Sequence, residues 1–292
     1  MVRKMQYLLM EGSFPTFQSP PREIKLKKPN ISLKDAHIEE WQYRANGSPL
    51  SWISAEDTFL EACASIQTVS NVGYLYQSEE MSHRKLNFIR IFGAANTDAI
   101  YSAMNRHFPT RDENSAIRIP RRFTNILNVD PRFQLVGTPI IHMKFKLDPN
   151  QSHRDLKDYD LVRFKRGSLY KHWEYIHEEC RERLIPNGFA SFYEKIFKSG
   201  IHDYYLLKKK NVPVACFALT WFEKNKANLW GVSTLSSEMR QGHQKRSMDS
   251  LANLFPEAII YLQTNENSSG HKLFRNFKNY CELATEDTYN AI

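Results

Sequence analysis

The hydrophobic pattern between residues 227 and 280 predicts five elements in a row. Alternating apolar residues predict a strand that ends near Leu235, and a polar turn centred on Gly242 follows. Apolar residues at helical spacing then predict a helix. A second strand over residues 258–264 and a second helix from about Asn267 complete the series. Strand, turn, helix, strand, helix is the layout of an α/β ligand-binding core.

The segment before this core adds a strand, two helices and a three-stranded meander. The turns at 210–213 and 224–227 separate three predicted strands, at residues 204–208, 214–222 and 228–235, and an earlier strand is predicted at 159–164. The first helix carries apolar residues at helical spacing, namely Leu169, Trp173, Ile176, Cys180 and Leu184. A second helix is predicted over residues 189–197. From residue 158 onward the predicted order is therefore one strand, two helices, a three-stranded meander, and then helix, strand and helix.

The first half of the chain carries a shorter series of the same kind. A helix is predicted from Ser54, its N-cap, with an apolar face that consists of Phe59, Leu60, Cys63 and Ile66. Strands at 72–76 and 86–92, a helix at 96–107 and one or two strands within 133–145 follow.

A faint internal repeat and two changes of composition predict the domain organisation. Residues 89–101 repeat the strand, Asn-x-x-small and helix pattern of residues 260–274, which is consistent with a degenerate first copy of one fold. Proline, lysine and polar residues dominate the first 50 positions, and a polar stretch lies at 147–157. We therefore predict an extended arm at 1–50, an N-terminal α/β domain at 51–150 and a second domain at 158–292.

Composition narrows the class of protein. The chain has 292 residues, of which 41% are hydrophobic, so it is long enough to bury a substantial core. No apolar run approaches the roughly 18 residues that a membrane-spanning helix needs, and no secretory signal is expected at the N-terminus. The four cysteines are widely scattered, which favours reduced thiols and a cytoplasmic protein.

The net charge of +8 permits an anionic cofactor, a nucleic acid or a membrane as partner. The basic runs are short, however, and the run at 208–210 lies beside Asn211 and Pro213, as in a solvated turn. No zinc-finger spacing or RNA-binding aromatic signature accompanies these runs. A nucleic-acid partner is therefore not expected, and the oligomeric state stays open.

Two short segments resemble motifs of a known family, the first of which is its pyrophosphate-binding loop. The first is the turn Arg240-Gln241-Gly242-His243-Gln244 at the start of a helix, and the second is Asn267-Ser268-Ser269-Gly270 leading into Leu273-Phe274. Together with the element order, they resemble the GNAT superfamily of N-acyltransferases, with some likeness to its glycine N-acyltransferase branch. Gln244 stands where the family has a second small residue, and Phe274 stands where it has a tyrosine.

The resemblance implies a fold and a function. The implied fold is an α/β fold with a mixed, mostly antiparallel central sheet flanked by helices, preceded by an α/β domain that is itself a degenerate GNAT-like repeat. The implied function is transfer of an acyl group, in the first place acetyl, from CoA to the amine of a small molecule or a protein, with acetyl-CoA or another acyl-CoA as cosubstrate.

The resemblance also assigns candidate residues to this reaction. The positions expected at the cofactor are Leu235, Arg240, Gln241, Gly242, His243, Gln244, Lys245, Arg246, Asn267 and Phe274. A glycine turn before a helix suits a pyrophosphate because unpaired backbone N–H groups point along the positive end of the helix dipole. Asn267 is expected to contact the cofactor or to cap the last helix. Glu223 is the candidate base, and Tyr280 is the candidate acid because Phe274 has no proton to give.

Two histidines on the first helix of the second half raise the question of a metal site. His172 and His177 lie five residues apart, about 140° around a helix, so they do not share a ligand face and no metal site is expected. Two alternatives to an acyl-CoA-dependent N-acyltransferase stay open. One is a catalytically weak or inactive GNAT-fold binding protein, which the residues Gln244 and Phe274 favour. The other is a tandem-GNAT aminoacyl transferase that uses charged tRNA, which the two-domain length and the basic charge suggest.

Overall fold

The computed structural model describes residues 64–69, 72–78, 87–91, 96–109, 115–151, 156–165, 167, 169–181 and 196–292. The strands of these residues form one sheet of twelve strands. In the first half they are β1 (Ser65–Val69), β2 (Gly73–Gln77), β3 (Phe88–Ile91), β4 (Ala116–Pro120), β5 (Phe133–Leu135) and β6 (Ile140–Lys146). In the second half they are β7 (Tyr159–Phe164), β8 (His202–Lys209), β9 (Val212–Glu223), β10 (Lys226–Thr234), β11 (Ile259–Asn265) and β12 (Cys281–Ala291).

The described helices lie between these strands. They are α1 (Thr97–His107), α2 (Asn125–Asn128), α3 (Leu169–Arg181), α4 (His243–Leu254) and α5 (Ser269–Phe274), with short 3₁₀ turns at Arg121–Phe123, Pro149–Gln151 and Ser236–Glu238. Residues 196–199 are also helical. Within the described ranges, no helix is long and apolar enough to cross a membrane.

The strand order is β1-β2-β3-β4-β12-β6-β11-β10-β9-β8-β7, and β5 also pairs with β12. Two neighbouring pairs are parallel, namely β3 with β4 and β10 with β11, and the other pairs are antiparallel. A helix connects the strands of each parallel pair, α1 in the first and α4 in the second. The predicted fold class, with a mixed and mostly antiparallel sheet, is confirmed.

The two parallel strand pairs place the internal repeat at different residues from those that the sequence pattern indicated. The repeated unit is strand, helix and parallel strand, so β3-α1-β4 corresponds to β10-α4-β11. Residues 89–101 therefore match the start of the α4 unit, whereas the sequence pattern aligned them with residues 260–274. The faint sequence repeat pointed to a real repetition of topology, but in the wrong register.

Strand pairing crosses the predicted domain boundary at 147–157. β6 precedes that boundary, yet it lies between β11 and β12. β12 ends the chain, yet it pairs with β4 and β5 of the first half. The two halves therefore share one sheet, and the division into domains stays a prediction.

The helices cover the two faces of this sheet. α1 buries Ile100, Ala103 and Met104 at helical spacing against one face of the first half. α4 buries Met248, Leu251 and Ala252 against one face of the second half. α3 packs Trp173 and Ile176 against the opposite face, on Leu206 and Ala218. α3 and α4 thus lie on opposite faces of the same strands, because successive strand residues point to opposite faces.

Several sequence predictions are corrected or lie outside the described residues. Ile66 was predicted on a helix that begins at Ser54, but it lies in β1; the earlier part of that helix is outside the described residues. The arm at 1–50 is also outside them, as is most of the predicted helix at 189–197. β4 and β12 were not predicted at all.

Candidate functional site

β10 and β11 separate after a short parallel contact. They pair only at Lys226 with Ile259, Ala227 with Ile260 and Asn228 with Tyr261. Beyond this point β10 continues on β9 alone and β11 on β6 alone. A V-shaped gap therefore opens in the middle of the sheet, with its apex at Asn228 and Tyr261. Its edges offer backbone N–H and C=O groups to a ligand because each strand lacks a partner on that side.

A β-bulge bends β10 where it borders this gap. Trp230 pairs with Ala218 and Ser233 with Cys216, so two residues of β10 oppose one of β9. Gly231, inside the bulge, has φ +64°. A Cβ there would come within 2.8 Å of Trp173 Cζ2 and would be strained at this φ, so both the space and the backbone require glycine.

Side chains from two helices hold the bulge in place. Trp173 of α3 donates from Nε1 to the carbonyl oxygen of Phe217, 2.9 Å away, opposite the bulge. Gln244 of α4 donates from Nε2 to the carbonyl oxygen of Ser233 at 2.5 Å and to Thr234 Oγ1 at 3.1 Å. Gln244 stands where the family that the sequence resembles has a small residue. Its side-chain hydrogen bonds link the start of α4 to the end of β10.

α4 begins without a side-chain cap. Its N-cap is Gly242, in the left-handed region with φ +77°, and this residue supplies no side-chain cap. By contrast, Asn96 caps α1 and Ser268 caps α5. The first turn of α4 therefore presents N–H groups that have no intrahelical acceptor, together with the positive end of the helix dipole. Leu235 and the Ser236–Glu238 turn join β10 to this position, beside the open end of the gap.

His243 and Glu238 form a polar pair beneath this turn. His243 Nε2 lies 2.8 Å from Glu238 Oε2. Burial lowers the pKa of His243 below its usual value, although Glu238 opposes this effect. The hydrogen bond from His243 lowers the pKa of Glu238. At neutral pH the pair is therefore a neutral imidazole that donates to a carboxylate.

Basic and aromatic side chains border the same turn. Arg246 donates from Nη1 to the Gln241 carbonyl at 2.6 Å, and its guanidinium lies 4.7 Å from the ring centroid of Tyr159. Lys209 Nζ lies 3.1 Å from Gln241 Oε1 and 3.5 Å from Glu238 Oε2. The basic run at 208–210 was predicted to be a solvated turn, but its first two residues end β8. The side chain of Lys209 lies beside the α4 N-terminus, a contact that the local sequence does not predict.

Several polar atoms at the start of α4 are buried. These atoms have no hydrogen-bond partner among the residues that the structure describes. They are His243 Nδ1, Gln244 Oε1, Arg246 Nε and Ser247 Oγ. Buried polar atoms are normally hydrogen-bonded. Four such atoms lie within five consecutive residues at this helix start, and four more lie at residues 202–205 of β8.

Asn267 and Phe274 lie at α5, but in different roles from those predicted. Ser268, rather than Asn267, caps α5 by accepting from the His271 N–H at 3.1 Å. Asn267 precedes it with φ +61°, and its N–H donates to His271 Nδ1. Phe274 is 3% exposed and stacks on Phe145 at a centroid distance of 5.5 Å. Its ring belongs to the hydrophobic core under α5.

Because Phe274 is buried, the substitution Phe274→Tyr tests whether the core under α5 can accommodate a hydroxyl group. The new hydroxyl would be buried among Phe145 and Phe277, so we expect a loss of about 1–3 kcal/mol in the free energy of unfolding. Urea denaturation measures it. Phe277→Tyr, at a half-buried neighbour, is the control and should cost less. An unchanged stability for Phe274→Tyr would show that the hydroxyl finds a partner, as it would at a ligand site.

Tyr280 lies on the side of β11 that faces β6 and β12. Its hydroxyl donates to Glu282 Oε1 at 2.7 Å and lies 3.2 Å from His271 Nε2. Glu282 is paired with Met143 of β6, which separates β12 from β11 by roughly 10 Å. The gap lies on the other side of β11. Burial and the hydrogen bond to Glu282 raise the pKa of Tyr280, which makes its hydroxyl a weaker acid.

Glu223 lies at the closed end of the β9–β10 hairpin. Its side chain is 52% exposed and forms a 2.7 Å ion pair with Lys226. Gly242 follows the opposite end of β10. The structure therefore brings residues 235–246 together at one end of the gap, but it does not bring Glu223 or Tyr280 to them.

A histidine and a serine that sequence analysis did not assign to acyl transfer meet at the bulge. His177 Nδ1, on α3, lies 3.0 Å from Ser233 Oγ, on β10. His177 was considered only as a metal ligand; within the described residues no cluster of three or more His, Cys, Asp or Glu side chains could hold a metal. No local signal in the sequence places α3 over β10, so this pair was not predictable.

Comparison with solved structures identifies the fold. A functionally unknown conserved protein from Staphylococcus epidermidis is similar with a TM-score of 0.60 at 9% identity, over 78% of this chain and 95% of that one. A GCN5-related N-acetyltransferase from Kribbella flavida gives 0.56 at 14%, over 85% and 96%. A tandem GNAT protein from the clavulanic acid biosynthesis pathway gives 0.50 at 9%, over 75% and 78%.

No family model matches the sequence, and no curated protein matches it. The structural likenesses show a GNAT fold, as the sequence predicted. The likeness to the glycine N-acyltransferase branch stays a prediction.

Proposed function

We propose that this GNAT-fold chain is an acyl-CoA-dependent N-acyltransferase. The observation that carries the proposal is that the gap between β10 and β11 opens directly beside the uncapped N-terminus of α4 at Gly242. A long ligand with a pyrophosphate at one end and a thioester at the other fits such an arrangement, because the helix start suits the anion and the strand edges suit amides and a carbonyl.

The first turn of α4 would bind the pyrophosphate. Gly242 allows close approach, and the N–H groups that follow it have no side-chain cap. Arg240 and Lys245 flank the turn, while Arg246 and Lys209 add positive charge beside the carboxylate of Glu238.

The gap would hold the pantetheine arm and the thioester. Backbone groups of β10 beyond Asn228 have no β11 partner and would bond to the arm. A backbone N–H aimed at the thioester oxygen would stabilise the negative charge that develops there. The bulge at Gly231 turns the backbone of β10 at this point. The amine would attack the carbonyl carbon, and the CoA thiolate would leave.

Thermal unfolding with CoA and acyl-CoAs tests the proposal. A ligand at one hundred times its Kd adds about 2.7 kcal/mol to the stability of a protein that binds it only when folded. We expect acetyl-CoA and CoA to raise Tm by several degrees, and an acyl-CoA panel to identify the chain length. ATP at the same concentration is the control for general anion binding. Equal shifts with ATP and CoA, or none with either, would contradict the assignment.

Gly242→Val should abolish the CoA-dependent shift. The branched side chain would block approach of a phosphate, and φ +77° disfavours valine by about 1–2 kcal/mol. Gly200→Val is the matched control, because Gly200 also has a positive φ, of +67°, but lies before the far end of β8. Both variants should lose stability, and only Gly242→Val should lose the CoA response. Retention of full affinity by a folded Gly242→Val would rule out this phosphate site.

A GNAT-fold binding protein is the second candidate. It is favoured by the position of Phe274, which is buried in the core and offers no acidic proton near the gap. A CoA-dependent shift without CoA release from any acyl-CoA and amine combination would support it. CoA release above the uncatalysed rate would support the enzyme.

A further inference from the structure

α3 and α4 approach the bulge of β10 from opposite faces of the sheet. His177 of α3 is 2% exposed and lies 3.0 Å from the hydroxyl of Ser233, which is 6% exposed. A Cβ on Gly231 would lie 3.5 Å from His177 Cε1, so the imidazole is packed directly on the bulge. The side chain of Gln244, from α4, reaches the carbonyl of Ser233. Ser233 is therefore the residue of β10 at which contacts from both helices meet.

We propose that His177 is the proton acceptor of the acyl transfer, with Ser233 as its relay, and that the acceptor amine enters from the α3 face. This inference rests on the proposed function. The cofactor would approach from the side of α4, so the α3 face is the one left for the second substrate. The two substrates would then meet through the gap.

The amine nitrogen forms a bond to the thioester carbonyl carbon, and the carbon–sulfur bond breaks to release the CoA thiolate. Ser233 Oγ takes one proton from the amine as it gives its own to His177 Nδ1. The imidazolium then releases that proton to water. Imidazole suits this role because its ordinary pKa lies close to neutral pH.

The neighbouring titratable groups define what a pH profile would report. On α3 they are Glu174 and Glu179, and Glu179 Oε2 accepts from the Ser236 N–H at 3.3 Å. On the strands they are Cys216 of β9 and His202 of β8, both buried. Burial lowers the pKa of His202 to about 3, so His202 does not titrate between pH 5 and pH 8. An activity that rises with pH in that range would therefore report another group.

CoA release from acetyl-CoA with an amine panel tests the inference across a series of pH values. We expect His177→Gln to lower kcat/KM by about 10²–10⁴-fold and to remove the rise of activity between pH 5 and pH 8. Its CoA-dependent thermal shift should equal that of the parent. His172→Gln is the matched control, since it is the same change at an exposed position of the same helix, and it should leave rate and profile unchanged.

Ser233→Ala supplies a second, smaller change in case His177→Gln does not fold. It should lower the rate and keep the CoA-dependent shift. A rate within twofold of the parent for either folded variant, or a retained pH profile in His177→Gln, would overturn the inference while leaving the proposed function intact. Absence of turnover in a parent that binds CoA would also overturn it. Absence of CoA binding by the parent would instead overturn the proposed function.

Discussion

Replacing Glu286 by alanine is expected to lower the free energy of unfolding by about 3–5 kcal/mol. Glu286 is fully buried on β12, and its carboxylate accepts from Arg90 Nε at 2.8 Å and from Arg90 Nη2 at 3.2 Å. His142 Nε2 of β6 lies 2.8 Å from the same group. Removal of the carboxylate would leave the guanidinium of Arg90 buried without its principal anion, and that uncompensated charge is the source of the cost.

Urea denaturation measures this effect, and the matched control is Glu282→Ala at an exposed position of the same strand. The control should change stability by less than about 1 kcal/mol. The double variant Arg90→Met, Glu286→Leu removes both charges and should recover much of the loss, because a buried ion pair is often replaceable by apolar residues. A loss under 1 kcal/mol in Glu286→Ala would show that water reaches Arg90.

The same carboxylate predicts a pH dependence. Burial by itself raises the pKa of Glu286, but the attraction of Arg90 and His142 outweighs it, and the pKa lies below its usual range. A carboxylate with a lowered pKa in the folded state contributes stability above its unfolded pKa, near 4.3, and that contribution is lost as pH falls below it. We therefore expect the parent protein to lose stability below about pH 5 more steeply than the double variant.

Most of the second half of the fold was predictable because β8, β9 and β10 are apolar runs separated by turn residues. The strand at 159–164 was predicted with the bounds that the structure has, and α4 follows Gly242 as expected. Positive φ at Gly242 is a property that glycine signals in any sequence. These local features sufficed for the loop and the helix that form one end of the candidate site.

β4 and β12 were missed for a physical reason. β12 buries Glu286, Asp287 and Thr288, and β4 buries Arg118, so both strands carry polar residues where an isolated strand would carry apolar ones. Their polar groups are satisfied across the sheet by residues far away in sequence, such as Arg90 and His142. Periodicity in a short window carries no information about such partners.

The candidate site was predictable only where it follows the chain. Residues 235–246 are continuous and were found together, whereas the pair of His177 and Ser233 depends on the packing of α3 across β10. Phe274 was placed at the cofactor by analogy with a tyrosine, but α5 turns its ring into the core. Motif matching gives position along a helix and does not give the direction in which a side chain points.

Trp173 connects the core of α3 to the geometry of the gap. It is fully buried, with edge-to-face contacts to Tyr204 at 5.1 Å and to Trp230 at 5.5 Å. Its ring occupies the space that a side chain at Gly231 would fill, and its Nε1 donates to the Phe217 carbonyl. One side chain therefore supplies both apolar packing and the hydrogen bond opposite the bulge.

Trp173→Ala is accordingly expected to cost about 3–5 kcal/mol, from the lost apolar contacts and the cavity. Trp173→Phe separates the hydrogen bond from the packing, since it keeps an aromatic ring but leaves the Phe217 carbonyl without its donor, at about 1–3 kcal/mol. Tyr175→Ala, at an exposed position of the same helix, is the control and should stay within about 0.5 kcal/mol. If the bulge shapes the gap, Trp173→Phe should also weaken the CoA-dependent thermal shift, whereas Tyr175→Ala should not. A Trp173→Phe variant with parental stability would show that water or another group satisfies the Phe217 carbonyl and that the tryptophan does not hold the bulge.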